Sequence, residues 1–195
     1  MQIAPGFTDA DYKRLNLDDQ TSPDWQIAID IFEARIGGRY VEPVDAMIQS
    51  EAQVQNPRNR KYGFAVLAID CLLIEAFYAF INGLKHTRNQ SRNAFTTFLT
   101  TRPLFQRHFT AALAGQFYDE YRCGILHQAE VQGDSIIWSV GAMMRIDGGG
   151  LVINRNAFHE ALKNEITSYV NDLRKNPGTH SRAMFRRKMN YVCRV

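Results

Sequence analysis

The chain has 195 residues, 45% of them hydrophobic, and a formal net charge of only +3. This length fills one hydrophobic core and is short for two, so we predict a single domain over residues 1–195. The chain has three cysteines and no CxxC spacing, which argues against a disulfide framework and a structural zinc site. Its first residues lack the basic and apolar segments of a signal peptide, which argues against secretion. We therefore expect a cytoplasmic protein that needs neither a metal nor a cofactor.

The first third of the chain changes from a polar segment to helical patterns. Residues 1–22 show no sustained apolar period, which predicts an N-terminal arm or loop. Ser22 followed by Pro23 fits the start of a helix, because serine caps helix N-termini and proline is favoured at the first helical position. A second helix is expected around residues 40–54, and a basic turn, NPRNRK, follows at 56–61.

Residues 63–83 form the most apolar stretch and are nearly long enough to cross a membrane. Asp70 and Glu75 lie inside it, and a carboxylate at mid-bilayer costs about 2.5–3.5 kcal/mol, so we expect no membrane span. A helix that is apolar all round is typical of the centre of a soluble helical bundle. Its two acids then need partners unless they reach the surface, and Arg122 is the natural partner of Glu75.

Two basic regions are candidates for binding RNA. The first is an expected interhelical loop with Lys85, Arg88 and Arg92. The second is a basic C-terminal helix in residues 176–195, with Arg186, Arg187 and Lys188; from residue 173 to the end the chain has seven Arg or Lys and no acid. A polyanion or an acidic partner surface fits such segments, although a solvated helix face or a complement to a helix dipole is equally consistent with them.

The apolar period changes between residues 133 and 154, where short β-prone runs are separated by glycines. This pattern predicts a small β ribbon of two or three strands. A further helix is expected from residue 157 to residue 175. The fold class is therefore mainly α, a helical bundle with a small β hairpin or ribbon inserted.

Residues 117–131 place ionisable residues and a glycine inside an apolar helical pattern. Glu120, Gly124 and His127 share one face at i, i+4 and i+7, and Gly124 would let another backbone or a ligand come close. On a straight helix Arg122 lies about 140° away from His127, so one chain should not aim both at one atom. A second copy related by a two-fold axis would complete such a site, which predicts a homodimer.

This segment contains Arg122 and His127, separated by Cys123-Gly124-Ile125-Leu126. It resembles the Arg-x4–6-His motif of the HEPN superfamily. That family has a helical fold and includes RNA-cleaving toxins, antiphage nucleases and CRISPR effectors. The resemblance implies a metal-independent ribonuclease with Arg122 and His127 of two protomers in a dimer cleft. Glu75, Glu120, Cys123 and Gly124 would then support the site. Cys123 departs from the family's commoner polar residue after the arginine.

Metal-free RNA cleavage needs a group that moves protons and a positive charge for the phosphorane. Histidine is the side-chain type that titrates near neutrality, and arginine offers a planar fork suited to phosphate, so His127 and Arg122 fit these roles. The alternative is a non-catalytic module that binds RNA or a nucleotide, or the partner of an antitoxin or nucleotidyltransferase, and Cys123 favours it. A purely structural helical domain is the third interpretation.

Overall fold

The computed structural model describes all residues, 1–195, and is mainly helical, as predicted. The α-helices are α1 (Asp9–Lys13), α2 (Asp24–Ile36), α3 (Glu42–Ser50), α4 (Gly63–Ile81), α5 (Ser91–Thr101), α6 (Pro103–Gln106), α7 (Ala111–Phe117), α8 (Gly124–Gln128), α9 (Arg155–Lys175) and α10 (His180–Cys193). Two π-helical segments, Gly37–Val41 and Tyr118–Cys123, join α2 to α3 and α7 to α8. A short 3₁₀ turn spans Pro57–Asn59.

Two small sheets complete the fold, and the larger confirms the predicted ribbon. The strands are β1 (Gln2–Ala4), β2 (Phe7–Thr8), β3 (Ile136–Trp138), β4 (Met144–Asp147) and β5 (Gly150–Asn154). β1 and β2 form an antiparallel hairpin. In the three-stranded sheet β5 is central, antiparallel to β4 and parallel to β3, and all of its residues are buried.

The chain forms two compact units. Unit 1 contains residues 1–43, 76–87 and 166–195, and unit 2 contains residues 44–75 and 88–165. The boundaries fall within α3, α4 and α9 and between α4 and α5, so neither unit is one continuous stretch of chain.

Unit 1 is built on an aromatic core that includes the C-terminal helix. The Phe32 ring packs edge-on against Phe80 and Phe185, with ring centroids 4.7 and 5.7 Å apart. Phe185 lies on α10, so the predicted basic helix buries an apolar face, and one of its cations, Arg182, is buried as well. The offset, tilted contacts are those that aromatic quadrupoles favour.

The predicted N-terminal arm is instead folded into unit 1. Residues 1–22 contain the β1–β2 hairpin and α1, and Ile3, Tyr12 and Leu17 are buried. The Arg35 guanidinium donates a hydrogen bond to the Ile3 carbonyl. The apolar residues of this segment are too widely spaced to give a helical or strand period, so their burial left no pattern in the sequence.

Unit 2 joins the motif segment to its sheet through a stack of rings. Phe117 stacks on Tyr121 and on Phe158 of α9, with ring centroids 5.0 and 5.2 Å apart. The Tyr121 hydroxyl donates to the backbone carbonyls of Ile136 and Leu151. Because Tyr121 precedes Arg122, these contacts fix the backbone from which the candidate site projects.

Helix α4 is long and apolar enough, by length and composition alone, to cross a membrane. Half of its most apolar stretch is buried inside the protein, and Asp70 within it is fully buried. The His159 ring contacts the Asp70 carboxylate, Nδ1 to Oδ1, at 2.7 Å. A helix with this burial fits the core of a soluble protein, as predicted.

Candidate functional site

Arg122 and His127 approach each other within one chain. Arg122 Nη1 lies 3.3 Å from His127 Nε2. The expectation that one helix cannot aim both groups at one point is therefore wrong. Its error was the assumption of a straight α-helix, because Tyr118–Cys123 is π-helical, with hydrogen bonds from i to i+5 and a smaller rotation per residue.

Arg122 is anchored by Glu75 of α4, the partner expected from the sequence. Arg122 Nε donates to Glu75 Oε1 at 2.9 Å, and Nη2 lies 2.8 Å from the same oxygen. Ser91 donates to the second carboxylate oxygen at 3.0 Å. The Arg122 and Glu75 side chains are 18% and 17% exposed, so the ion pair is largely buried but still reached by solvent. Burial lowers the pKa of Arg122, but Glu75 outweighs it and the pKa is raised above its ordinary value.

Tyr118 is a site residue that the sequence analysis missed. The guanidinium carbons of Arg122 and Arg92 lie 5.5 and 5.6 Å from its ring centroid, within cation–π range. The Cys123 thiol contributes to the raised pKa of both Tyr118 and Arg122. Burial, with the nearby thiol, raises the pKa of Tyr118 and keeps its hydroxyl protonated at neutral pH. The sequence held one indication that Tyr118 lies near Arg122, because Tyr118 precedes Arg122 by four residues on the same helical segment.

Both arginines of this cluster are paired with acids. Arg92 contacts Asp119 in an exposed ion pair, and Arg122 contacts Glu75. The two cations and two anions cancel, so these four side chains together carry no net charge. A phosphate would therefore bind by competing with a carboxylate for one of the arginines.

Glu120 and Gly124 do not join the cluster. Glu120 accepts hydrogen bonds from Gln116 at 3.1 Å and from Ser135, so it holds the turn before β3. Gly124 is buried, and a Cβ there would lie 2.4 Å from the Glu130 carbonyl oxygen. The close approach that the glycine permits is thus made by this chain's own backbone, which removes Gly124 as an argument for a dimer.

The candidate RNA-binding cations of unit 1 are partly engaged within the protein. Lys188 donates to the Lys85 carbonyl at 2.9 Å, and burial lowers its pKa. Arg186 pairs with Asp18 at 2.7 Å. Arg186 and Arg187 line a surface cavity of about 460 Å³. These side chains sit on α10, whose other face is core, so substitutions rather than deletion are needed to test them.

The candidate cations of unit 2 lie before and within α5. Arg88 is exposed, and Arg92 belongs to the cluster around Tyr118. Arg92 also lines a polar cavity of about 360 Å³ together with Asn89, Gln90 and Asn93. Of the predicted RNA-binding residues, Arg92 is therefore the one that the structure places beside Arg122.

Comparison of the chain with protein-family models, with curated proteins and with solved structures found no match. No group of three or more His, Cys, Asp or Glu side chains is arranged to hold a metal ion.

Proposed function

We propose that the protein is a metal-independent endoribonuclease of the HEPN type, acting in the cytoplasm on RNA. The observation that carries this proposal is the 3.3 Å approach of Arg122 Nη1 to exposed His127 Nε2. An imidazole that can take and return protons then lies beside a guanidinium held at fixed orientation by Glu75.

In the proposed reaction His127 takes the proton from a ribose 2′-OH, and the oxygen attacks the adjacent phosphorus. The bond from phosphorus to the 5′-oxygen breaks, and His127 of the partner subunit protonates the leaving oxygen. The products are a 2′,3′-cyclic phosphate and a 5′-hydroxyl. Arg122 donates to the phosphorane oxygens, whose negative charge exceeds that of the substrate, so its contribution is largest in the transition state.

The homodimer in this proposal would form around the cluster. Leu72 and Leu126 are 46% and 45% exposed; Leu72 is one helical turn before Glu75 and Leu126 directly precedes His127. Exposed apolar side chains grouped beside a polar site are typical of an interface. A second copy would cover them and bring two His127 rings together.

Sedimentation at micromolar concentration should show a dimer that Leu126→Asp converts to monomer, because a carboxylate would be buried in the apolar interface. Ile146→Asp is the matched control, since Ile146 is also exposed but lies on β4. A wild-type monomer, or equal effects of the two variants, would contradict the two-fold site.

The second candidate function is a non-catalytic module that binds RNA or a nucleotide, or that serves an antitoxin or nucleotidyltransferase as partner. The full engagement of Arg122 Nε and Nη2 by Glu75 favours it, because a guanidinium already neutralised contributes less to a transition state.

Glu75→Gln tests whether Arg122 contacts bound RNA. The amide keeps the side-chain shape and frees one positive charge, so RNA affinity should rise and its logarithmic salt dependence should steepen by about 0.7. Arg122→Ala should shift both quantities in the opposite direction. Glu160→Gln, which removes an exposed acid on α9, is the control. Unchanged RNA binding in both site variants would reduce the pair to a structural role.

A further inference from the structure

A second site lies in unit 2 beside the start of α4. It is a cavity of about 210 Å³ whose walls come from the basic turn, the first residues of α4, the end of β3 and the first residue of α9. It shares no residue with the cluster around Arg122 and His127. The turn that the sequence marked only as basic is therefore one wall of a concave site.

The walls of this cavity are strongly cationic. Arg58, Arg60, Lys61 and Arg155 line it, and no acidic residue does. Arg58 and Lys61 are exposed and take part in no salt bridge. One nearby carboxylate, Glu51, pairs with Arg155, so three positive charges remain uncompensated. An anion is the ligand that such a cavity would attract.

Arg155 supplies the observation that distinguishes this cavity from a merely basic surface. The residue is 1% exposed, and only Nη2 is paired, with Glu51 Oε2. Nε and Nη1 are buried without any hydrogen-bond partner. Glu51 cannot serve them as well, because its other oxygen accepts from the backbone N–H groups of Lys61 and Tyr62. Unpaired buried donors are rare, and the charged N–H groups of a guanidinium are donors that suit a phosphate.

Two further features prepare the site for a phosphate. Arg60 is held in place by neutral acceptors, donating to Ser139 Oγ at 2.9 Å and to the Val54 carbonyl at 3.2 Å, so its charge is positioned without being neutralised. The N-terminus of α4, a helix of 19 residues, opens at Gly63 in the cavity wall. The positive end of the helix dipole adds to the field of the side chains.

Aromatic side chains line the same cavity. Trp138 is half-buried and Phe64 is 44% exposed. A large apolar ring left in water beside a cationic cavity provides a stacking surface for a planar base. The volume is small compared with pockets that enclose a whole drug-sized molecule, so it suits a phosphate group inside with the base resting on the aromatic rim.

We propose that this cavity binds a nucleoside monophosphate, with Arg58, Lys61 and Arg155 on the phosphate and Trp138 and Phe64 against the base. The same chemical group occurs as a free nucleotide and as the 5′-phosphorylated end of an RNA. The site is separate from the proposed ribonuclease site and does not depend on it.

Calorimetry on the full chain with AMP, inorganic phosphate and adenosine tests the proposal. AMP should bind, and phosphate and adenosine should each bind at least about tenfold more weakly, because each makes only half of the contacts. Added salt should weaken AMP binding. The chain has two tryptophans, and Trp25 is buried in unit 1, so in Trp25→Phe the fluorescence of Trp138 should change on binding.

Arg155 is buried and paired, so the variants are chosen at exposed positions that the fold does not require. Lys61→Ala and Arg58→Ala should each weaken AMP binding about tenfold, since a charge-assisted hydrogen bond is lost. Arg145→Ala, on exposed β4, removes the same charge and should leave AMP affinity unchanged. Trp138→Leu should weaken AMP but not phosphate.

The outcomes separate the possible ligands. Competition of AMP by a 5′-phosphorylated RNA oligomer, but not by its 5′-hydroxyl form, would identify an RNA end; AMP binding without such competition would identify a free nucleotide. No AMP binding at millimolar concentration, or phosphate binding as tight as AMP, would overturn the proposal. RNA cleavage in Lys61→Ala should remain at the wild-type rate. Absence of AMP binding would therefore leave the ribonuclease proposal intact, and absence of RNA cleavage would leave the nucleotide-site proposal intact.

Discussion

Replacing His127 with alanine is expected to reduce RNA cleavage in EDTA by about 10²–10⁴-fold while leaving RNA binding nearly intact. The imidazole transfers protons in the transition state, and general acid–base catalysis typically accelerates a reaction by this factor. It contributes little to ground-state affinity, because the side chain is exposed and the nearby arginines remain. Single-turnover cleavage of a labelled RNA, with binding measured separately, gives both quantities.

His180→Ala is the matched control, since His180 is also exposed and lies at the start of α10 in unit 1. Equal loss of cleavage in both variants would mean that histidine substitution acts through stability. Unchanged cleavage in His127→Ala would remove His127 from the mechanism, whereas lost binding would place it in substrate recognition.

His159→Ala is expected to destabilise the fold by about 3–5 kcal/mol, because a buried carboxylate loses its partner. Asp70 is fully buried, and Nδ1 of His159 contacts its carboxylate at 2.7 Å. Without the ring, Asp70 loses this hydrogen bond and a cavity is left behind. Urea unfolding of the two proteins measures the difference.

The effect of His159→Ala should depend on pH with a definite sign. Burial raises the pKa of Asp70 above its ordinary 3.8, and His159 opposes that rise. An acid with a raised pKa in the folded state costs stability as pH increases above the ordinary value, and the loss of His159 enlarges that cost. The destabilisation should therefore be smaller near pH 5 than at pH 7.5.

Asp70→Asn separates charge from packing. The neutral amide fills nearly the same space and needs no counter-charge, so this variant should cost clearly less than His159→Ala. An equal or larger loss in Asp70→Asn would mean that the carboxylate itself, rather than its pairing, stabilises the core.

The Glu75–Arg122 pair could be predicted because an acid inside an apolar helix requires a counter-charge, and the motif offered one. The same argument identified Asp70 as needing a partner but could not choose His159 among five histidines. Residues 70 and 159 are far apart in sequence, and only the packing of α9 against α4 within unit 2 brings them together.

The relation of Arg122 to His127 was misjudged for a local reason. Residue spacing gives the angle between two side chains only when the helix type is known, and nothing in Tyr118–Cys123 marks a π-helical turn. Gly124 was likewise ambiguous: its missing side chain signals a close approach, but not whether the neighbour is a ligand, a second copy or the chain's own Glu130.

We propose that this chain cleaves RNA through the ribose 2′-OH without a metal. The most direct measurement is incubation of the wild-type protein in EDTA with an RNA and with its fully 2′-O-methylated counterpart, followed by analysis of the product ends. We expect cleavage of the RNA alone, with 2′,3′-cyclic phosphate and 5′-hydroxyl ends. Intact RNA, or equal cleavage of the methylated strand, would contradict it.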